Sequence, residues 1–214
     1  MADKHADYSV YLVTENYDSH CSDQYMTKIK QALEGGISLL QLRAKHASSK
    51  VFYELAEELK SMAHACNVPL IINDRVDIAL AVDADGIHVG QDDLPAGKVR
   101  KIIGPDKILG VSCSTVEEAI KAEQDGADYL GCGSVFPTKT KSDATMIELD
   151  ELKRIKENVS IPVVAIGGIT EENVNELLKR NVDGIAVVSA ILSQPDVKKA
   201  AKILNEKMKK AGSL

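Results

Sequence analysis

Short apolar runs rich in β-branched residues recur along the whole chain, and stretches of helical period separate them. Eight such runs stand out: Tyr8 to Thr14, Leu39 to Arg43, Leu70 to Asn73, Gly86 to Val89, Ile108 to Ser112, Tyr129 to Gly131, Pro162 to Ile166 and Gly184 to Val188. They are nearly continuous in apolar residues, the pattern of parallel strands covered on both faces. Between them, Phe52, Leu55, Ala56, Leu59, Ala63 and Cys66 fall on one helical stripe, and Ile29, Ala32 and Leu33 run into a stop at Gly35-Gly36. Thr115-Val116-Glu117-Glu118 has the form of a capping box, and Val197, Ala200, Ala201, Leu204 and Met208 line one face of a last helix. Strand and helix alternating in this way mean right-handed βαβ units, and eight of them predict a (β/α)8 barrel, a TIM barrel, with an open doubly wound sheet as second choice. With no low-complexity linker, residues 1–214 are expected to form a single domain.

Composition narrows the classes of function. Aromatic residues make up only 4%, with no Trp, so the core must be aliphatic, which favours α/β architecture over an aromatic-rich sandwich. Against 32 Asp and Glu stand 26 Lys and Arg, a net charge of −6, which argues against a nucleic-acid or anionic-membrane binder. Lys198, Lys199, Lys202, Lys207, Lys209 and Lys210 alternate with the apolar face of the last helix and read as its solvated side. Cys21, Cys66, Cys113 and Cys132 lie far apart without metal-ligand spacing, so reduced thiols are expected, Cys113 and Cys132 as small buried hydrophobes. The N-terminus lacks an apolar leader core and no run has membrane-spanning length, so a cytoplasmic protein is expected.

In either architecture, function gathers at the C-terminal ends of the strands. The second run ends Gln41-Leu42-Arg43-Ala44-Lys45, which puts Gln41, Arg43 and Lys45 on one face. If that face is the barrel interior, the two cations are costly to bury unless an anionic ligand or an internal salt bridge compensates them. The third run ends Asn73-Asp74-Arg75, and Gly90-Gln91-Asp92-Asp93 follows the fourth. Carboxylates at adjacent strand ends beside a basic pair suit a hard cation bridging to phosphate oxygens, though either Asp could equally be a helix cap. Gly131-Cys132-Gly133 and then Thr138-Lys139-Thr140-Lys141 after the sixth run could hold a second anion or simply mark a tight turn. More specific is Ala165-Ile166-Gly167-Gly168-Ile169-Thr170, followed by Val187-Val188-Ser189-Ala190, the place where such barrels bind phosphate. His88, inside the fourth run, reads as a satisfied core residue, and nothing forms a nucleophilic triad.

These blocks in this order, above all Gln41 to Lys45, Ile72 to Arg75, His88 to Asp93, Gly110 to Ser112, Pro137 to Lys141 and Ile166 to Ile169, resemble the thiamine phosphate synthase family over nearly the whole chain. The resemblance implies a (β/α)8 transferase of thiamine biosynthesis. Its reaction joins 4-amino-5-hydroxymethyl-2-methylpyrimidine diphosphate to a thiazole phosphate, giving thiamine monophosphate and pyrophosphate. It further implies that Gln41, Arg43, Lys45, Asn73, Ser112 and Lys141 hold the pyrimidine diphosphate, and that Asp74 and Asp93 bind Mg²⁺. Thr138, Thr140, Gly168, Val188 and Ser189 would hold the thiazole phosphate, and Arg43, Lys45, Lys141 and Ser112 would carry catalysis. The implied partners are these small molecules, with no nucleic acid or membrane; a homo-oligomer is neither required nor excluded. One position departs from the pattern: the family often has His where this chain has Ser114. The related thiazole tautomerase carries that His and lacks the Asp matching Asp74, so both differences favour the synthase over the tautomerase. A non-catalytic barrel binding a thiazole phosphate or thiamine phosphate is the third alternative, disfavoured by the metal and leaving-group residues present.

Overall fold

The eight apolar runs form eight parallel strands: β1 (Val10–Val13), β2 (Leu39–Leu42), β3 (Leu70–Asn73), β4 (Gly86–Val89), β5 (Ile108–Cys113), β6 (Tyr129–Cys132), β7 (Val163–Ile166) and β8 (Gly184–Val187). In the computed structural model, which describes residues 6–138 and 146–211, they close in chain order into a barrel, β8 pairing back onto β1. This is the (β/α)8 architecture and not the open sheet, because Val10, Tyr11 and Leu12 pair with β8 on one side while Tyr11, Leu12 and Val13 pair with β2 on the other.

The helices are α1 (Ser22–Glu34), α2 (Ser49–His64), α3 (Val76–Ala81), α4 (Ala96–Ile103), α5 (Val116–Gln124), α6 (Leu149–Asn158), α7 (Val174–Leu178), α8 (Ser189–Leu192) and α9 (Val197–Ala211). Their apolar stripes are buried where the periodicity predicts, except at Ala200 of α9, which is only half-buried, and at Cys66. α2 ends at His64, and Asn67 turns the chain with φ of 56°, so Cys66 is exposed beyond the helix instead of continuing its stripe. Thr115 caps α5 by accepting from the Glu118 N–H at 3.2 Å, but Glu118 reaches past it to the Ser114 N–H at 2.6 Å, a capping box displaced by one residue. No helix among the described residues is long and apolar enough to cross a membrane.

Strand alternation separates two packed layers. Val10, Leu12, Leu40, Leu42, Ile72, Ile87, Leu130 and Ile185 point outward into a layer shared with the helices, joined there by the buried Cys113 and Cys132, whose thiols burial pushes up, that of Cys132 to about 12. Tyr8, Tyr11, Val13, Leu39, Ile71, Ile108, Tyr129, Val164 and Ala186 fill the barrel itself. Gly110 makes that filling possible: a Cβ there would collide with the Tyr129 ring and come within 2.5 Å of His88 Nδ1. The interior is thus packed at its lower layers and turns polar toward the C-terminal mouth, where Gln41, Asn73, His88 and Ser112 follow the apolar residues on their strands.

Candidate active site

At that mouth lies a cavity of about 530 Å³. Every site residue expected from the sequence and lying within the described residues lines it: Gln41, Arg43 and Lys45 from the end of β2, Asn73 and Asp74 from β3, Asp93 after β4, Ser112 from β5, Thr138 after β6, Gly168 after β7, and Val188 and Ser189 after β8. Thr140 and Lys141 lie outside the described residues.

The basic pair sits differently from the burial argument. β2 ends at Leu42, so only Gln41 points into the barrel, 4% exposed, whereas Arg43 is half-buried and Lys45 exposed at the rim. Water reaches both cations, and no burial penalty has to be offset. Lys45 Nζ lies 3.6 Å from Asp74 Oδ2, so the salt bridge weighed from sequence exists, and it sits in the site. Arg43 is steered by its backbone, whose N–H donates to Thr14 Oγ1 at 3.0 Å.

Asp74 occupies the left-handed region, φ 62°, with its N–H donating to the His88 carbonyl at 2.8 Å. A non-glycine residue held there is strained, and the bend turns its carboxyl out of the strand direction toward the mouth. Neither Asp is a helix cap: the residue flanking α3 is Arg75, that flanking α4 is Pro95, and neither helix has a side-chain cap. Asp93 is anchored by the Gly90 N–H, which donates to its Oδ2 at 2.7 Å. Partial burial and the neighbouring Asp93 carboxylate raise the Asp74 carboxyl to about 6, with Lys45 opposing. Two carboxylates, incompletely neutralised, therefore face one another beside the cavity.

Gly167 and Gly168 both have positive φ, 102° and 62°. The need for glycine at 168 is tighter than phosphate access alone: a Cβ would come within 2.7 Å of the Phe136 carbonyl oxygen and closer still to that of Pro137. The turn after β7 is interlocked with the segment after β6, and both carry cavity-lining residues.

Sequence reasoning missed the part that Tyr11, Tyr129 and Glu118 play here; all three line the cavity. His88 is buried and hydrogen-bonded at both ring nitrogens, as a core histidine should be, yet it too faces the cavity. Alternation along each strand puts Tyr11, His88 and Tyr129 inside the barrel, as it does Gln41 and Ser112, but it does not by itself tell a site residue from interior packing. Ser114, the departure from the family pattern, is also on the wall.

The family model described as thiamine monophosphate synthase matches residues 10–191. A thiamine-phosphate synthase of Clostridium tetani is 55% identical over 204 residues, 95% of this chain and 97% of that protein. One of Desulfitobacterium hafniense is 56% identical over 197 residues, covering 92% and 95%. Among solved structures, thiamine phosphate pyrophosphorylase from Pyrococcus furiosus superposes with a TM-score of 0.87 at 40% identity, covering 98% of this chain and 99% of that one. Fold, cavity and relatives converge, and the chain belongs to the thiamine monophosphate synthase family.

Proposed function

We propose that this chain is a thiamine phosphate synthase, joining 4-amino-5-hydroxymethyl-2-methylpyrimidine diphosphate to a thiazole phosphate with release of pyrophosphate. The observation that carries the reading is the gathering of Gln41, Arg43, Lys45, Asn73, Asp74, Asp93, Ser112, Thr138, Gly168, Val188 and Ser189 around one cavity, in a chain more than half identical to synthases over nearly its full length.

The residues that follow β2 differ in chemistry from those that follow β6, β7 and β8, which supports separate subsites. Arg43 and Lys45 offer a guanidinium and an ammonium to a diphosphate, while Thr138 and Ser189 offer hydroxyls beside the tight Gly167-Gly168 turn to a monophosphate. The pyrimidine methylene–oxygen bond breaks as the diphosphate departs, and the thiazole nitrogen forms the new bond at that carbon. The 4-amino group of the pyrimidine can delocalise the developing positive charge, so no protein nucleophile is required. The protein aligns the two rings, and Arg43 and Lys45 stabilise the charge that grows on the leaving group.

Asp74 and Asp93 fit a magnesium ion. Both donors are oxygen, and the Asp74 carboxyl, raised first by burial and then by Asp93, has a second carboxylate as its neighbour, a pairing that a cation would relieve. Among the described residues no group of three or more His, Cys, Asp or Glu suited to a metal occurs, and a pair is what Mg²⁺ uses when substrate phosphates complete its shell. When bound, the ion would neutralise diphosphate charge.

The test is formation of thiamine phosphate from both substrates, with Mg²⁺ and with chelator. Turnover only when both substrates and Mg²⁺ are present supports the reading. Isomerisation of the thiazole without Mg²⁺, and no coupling, would point to the tautomerase.

A further inference from the structure

Five polar side chains cross the barrel in one unbroken hydrogen-bonded chain. Gln41 Nε2 donates to Tyr11 Oη at 2.5 Å, Tyr11 Oη lies 2.8 Å from Tyr129 Oη, Tyr129 Oη lies 2.9 Å from His88 Nδ1, and His88 Nε2 lies 2.9 Å from Ser112 Oγ. Gln41, Tyr11, Tyr129 and His88 are all at least nine-tenths buried, and both ends of the chain line the cavity.

Such a chain has only two senses, because each phenol has one proton to give. A phenol is a better donor than an imidazole N–H, and an imidazole nitrogen is a better acceptor than a phenol oxygen, so Tyr129 donates to His88 Nδ1. Burial holds the phenol protons of Tyr11 and Tyr129 on well above the ordinary range. The rest follows by counting protons. Tyr11 donates to Tyr129 and receives the Gln41 amide N–H, and His88 keeps its proton on Nε2 and gives it to Ser112 Oγ. Gln41 then offers its carbonyl oxygen to a ligand, an acceptor, and Ser112 offers its own hydroxyl proton, a donor.

We infer that Tyr11, Tyr129 and His88 are positioning residues that set the hydrogen-bond polarity of Gln41 and Ser112, selecting a pyrimidine that presents an amino group over its oxo counterpart. The inference rests on the reading of the cavity as a pyrimidine site, and it adds what enforces the choice of heterocycle. In Tyr11→Phe the Gln41 amide loses its fixed partner and can turn either edge to the ligand. In Tyr129→Phe the chain is cut at its centre, and His88 is released to either tautomer.

Two measurements test it. Calorimetric dissociation constants are compared for 5-hydroxymethyl-2-methylpyrimidine monophosphates bearing a 4-amino or a 4-oxo group, which bind without reacting. Wild type should prefer the amino compound, and each Phe variant should lower that preference at least tenfold, whereas general loosening of the barrel would weaken both compounds alike. ¹⁵N spectra of the imidazoles, with His88 assigned through His88→Gln, should show the proton on Nε2 alone in wild type and a shifted tautomer balance in Tyr129→Phe. An Nδ1–H or doubly protonated His88 in wild type, or an unchanged preference in both variants, overturns the inference. Failure of wild type to bind either monophosphate would overturn the pyrimidine reading itself, and this inference with it.

Discussion

Asp74 is strained twice, in its left-handed backbone and in a carboxyl that is partly buried and set beside Asp93. Its folded pKa of about 6 lies above the unfolded value near 3.8, so the fold favours the protonated carboxyl, and stability falls as pH rises from about 4 to 6. Asp74→Asn removes that penalty. With the partial solvent contact of the group taken into account, the variant in chelator should be on the order of 1 kcal/mol more stable than wild type at pH 7.5 and indistinguishable below about pH 4, read by urea melts. The same variant should lose at least ~10²-fold in rate, the scale of one lost preorganised electrostatic element. A variant that gained activity or lost stability at pH 7.5 would contradict this account. Gln41, Arg43, Lys45, Asn73, Asp74 and Asp93 were legible in the sequence because they stand at or just beyond strand ends, whereas Glu118, in the first turn of α5, was not. Tyr11 and Tyr129 were not, because a tyrosine in an apolar run reads as packing until its neighbours inside the barrel are known.

At the scale of elements, all eight strands were legible to within a few residues, because burial on both faces forces unbroken apolar runs. Helix caps were legible in kind but not in detail. Thr115→Ala should cost about 1 kcal/mol through the lost cap, measured as a drop in Tm, while Glu118 still holds Ser114. The segment around Gly167-Gly168 is legible in the sequence as a place for phosphate. Its contact with the carbonyls of Phe136 and Pro137 could not be read, since it joins two loops 31 or more residues apart by way of the closed barrel. Any side chain at 168 would therefore disturb the fold as well as binding, so the monophosphate subsite is better probed at Ser189, which is exposed. Ser189→Asp sets a like charge against the phosphate and should raise the thiazole phosphate KM at least ~10-fold, with the pyrimidine KM nearly unchanged. Equal changes in both KM values would refute the assignment.

Across the whole molecule, the first and last helices among the described residues are joined. α9 packs on α1, Lys198 pairs with Glu34 at 2.9 Å, and Asn205 Nδ2 donates to the Gly36 carbonyl at 2.6 Å. Apolar burial carries most of this seam: Leu204→Ala should cost ~2–5 kcal/mol in a denaturant melt, whereas Lys198→Ala should stay within about 0.5 kcal/mol. The pairing of β1 with β8 has a further consequence for the order of events at the ribosome. β1 is made before the other seven strands, yet one of its two edges has no partner until residues 184–187 have been synthesised. While β2 to β7 are being made the nascent chain thus carries an open strand edge that can pair with another chain, and the barrel protects itself only when β8 arrives.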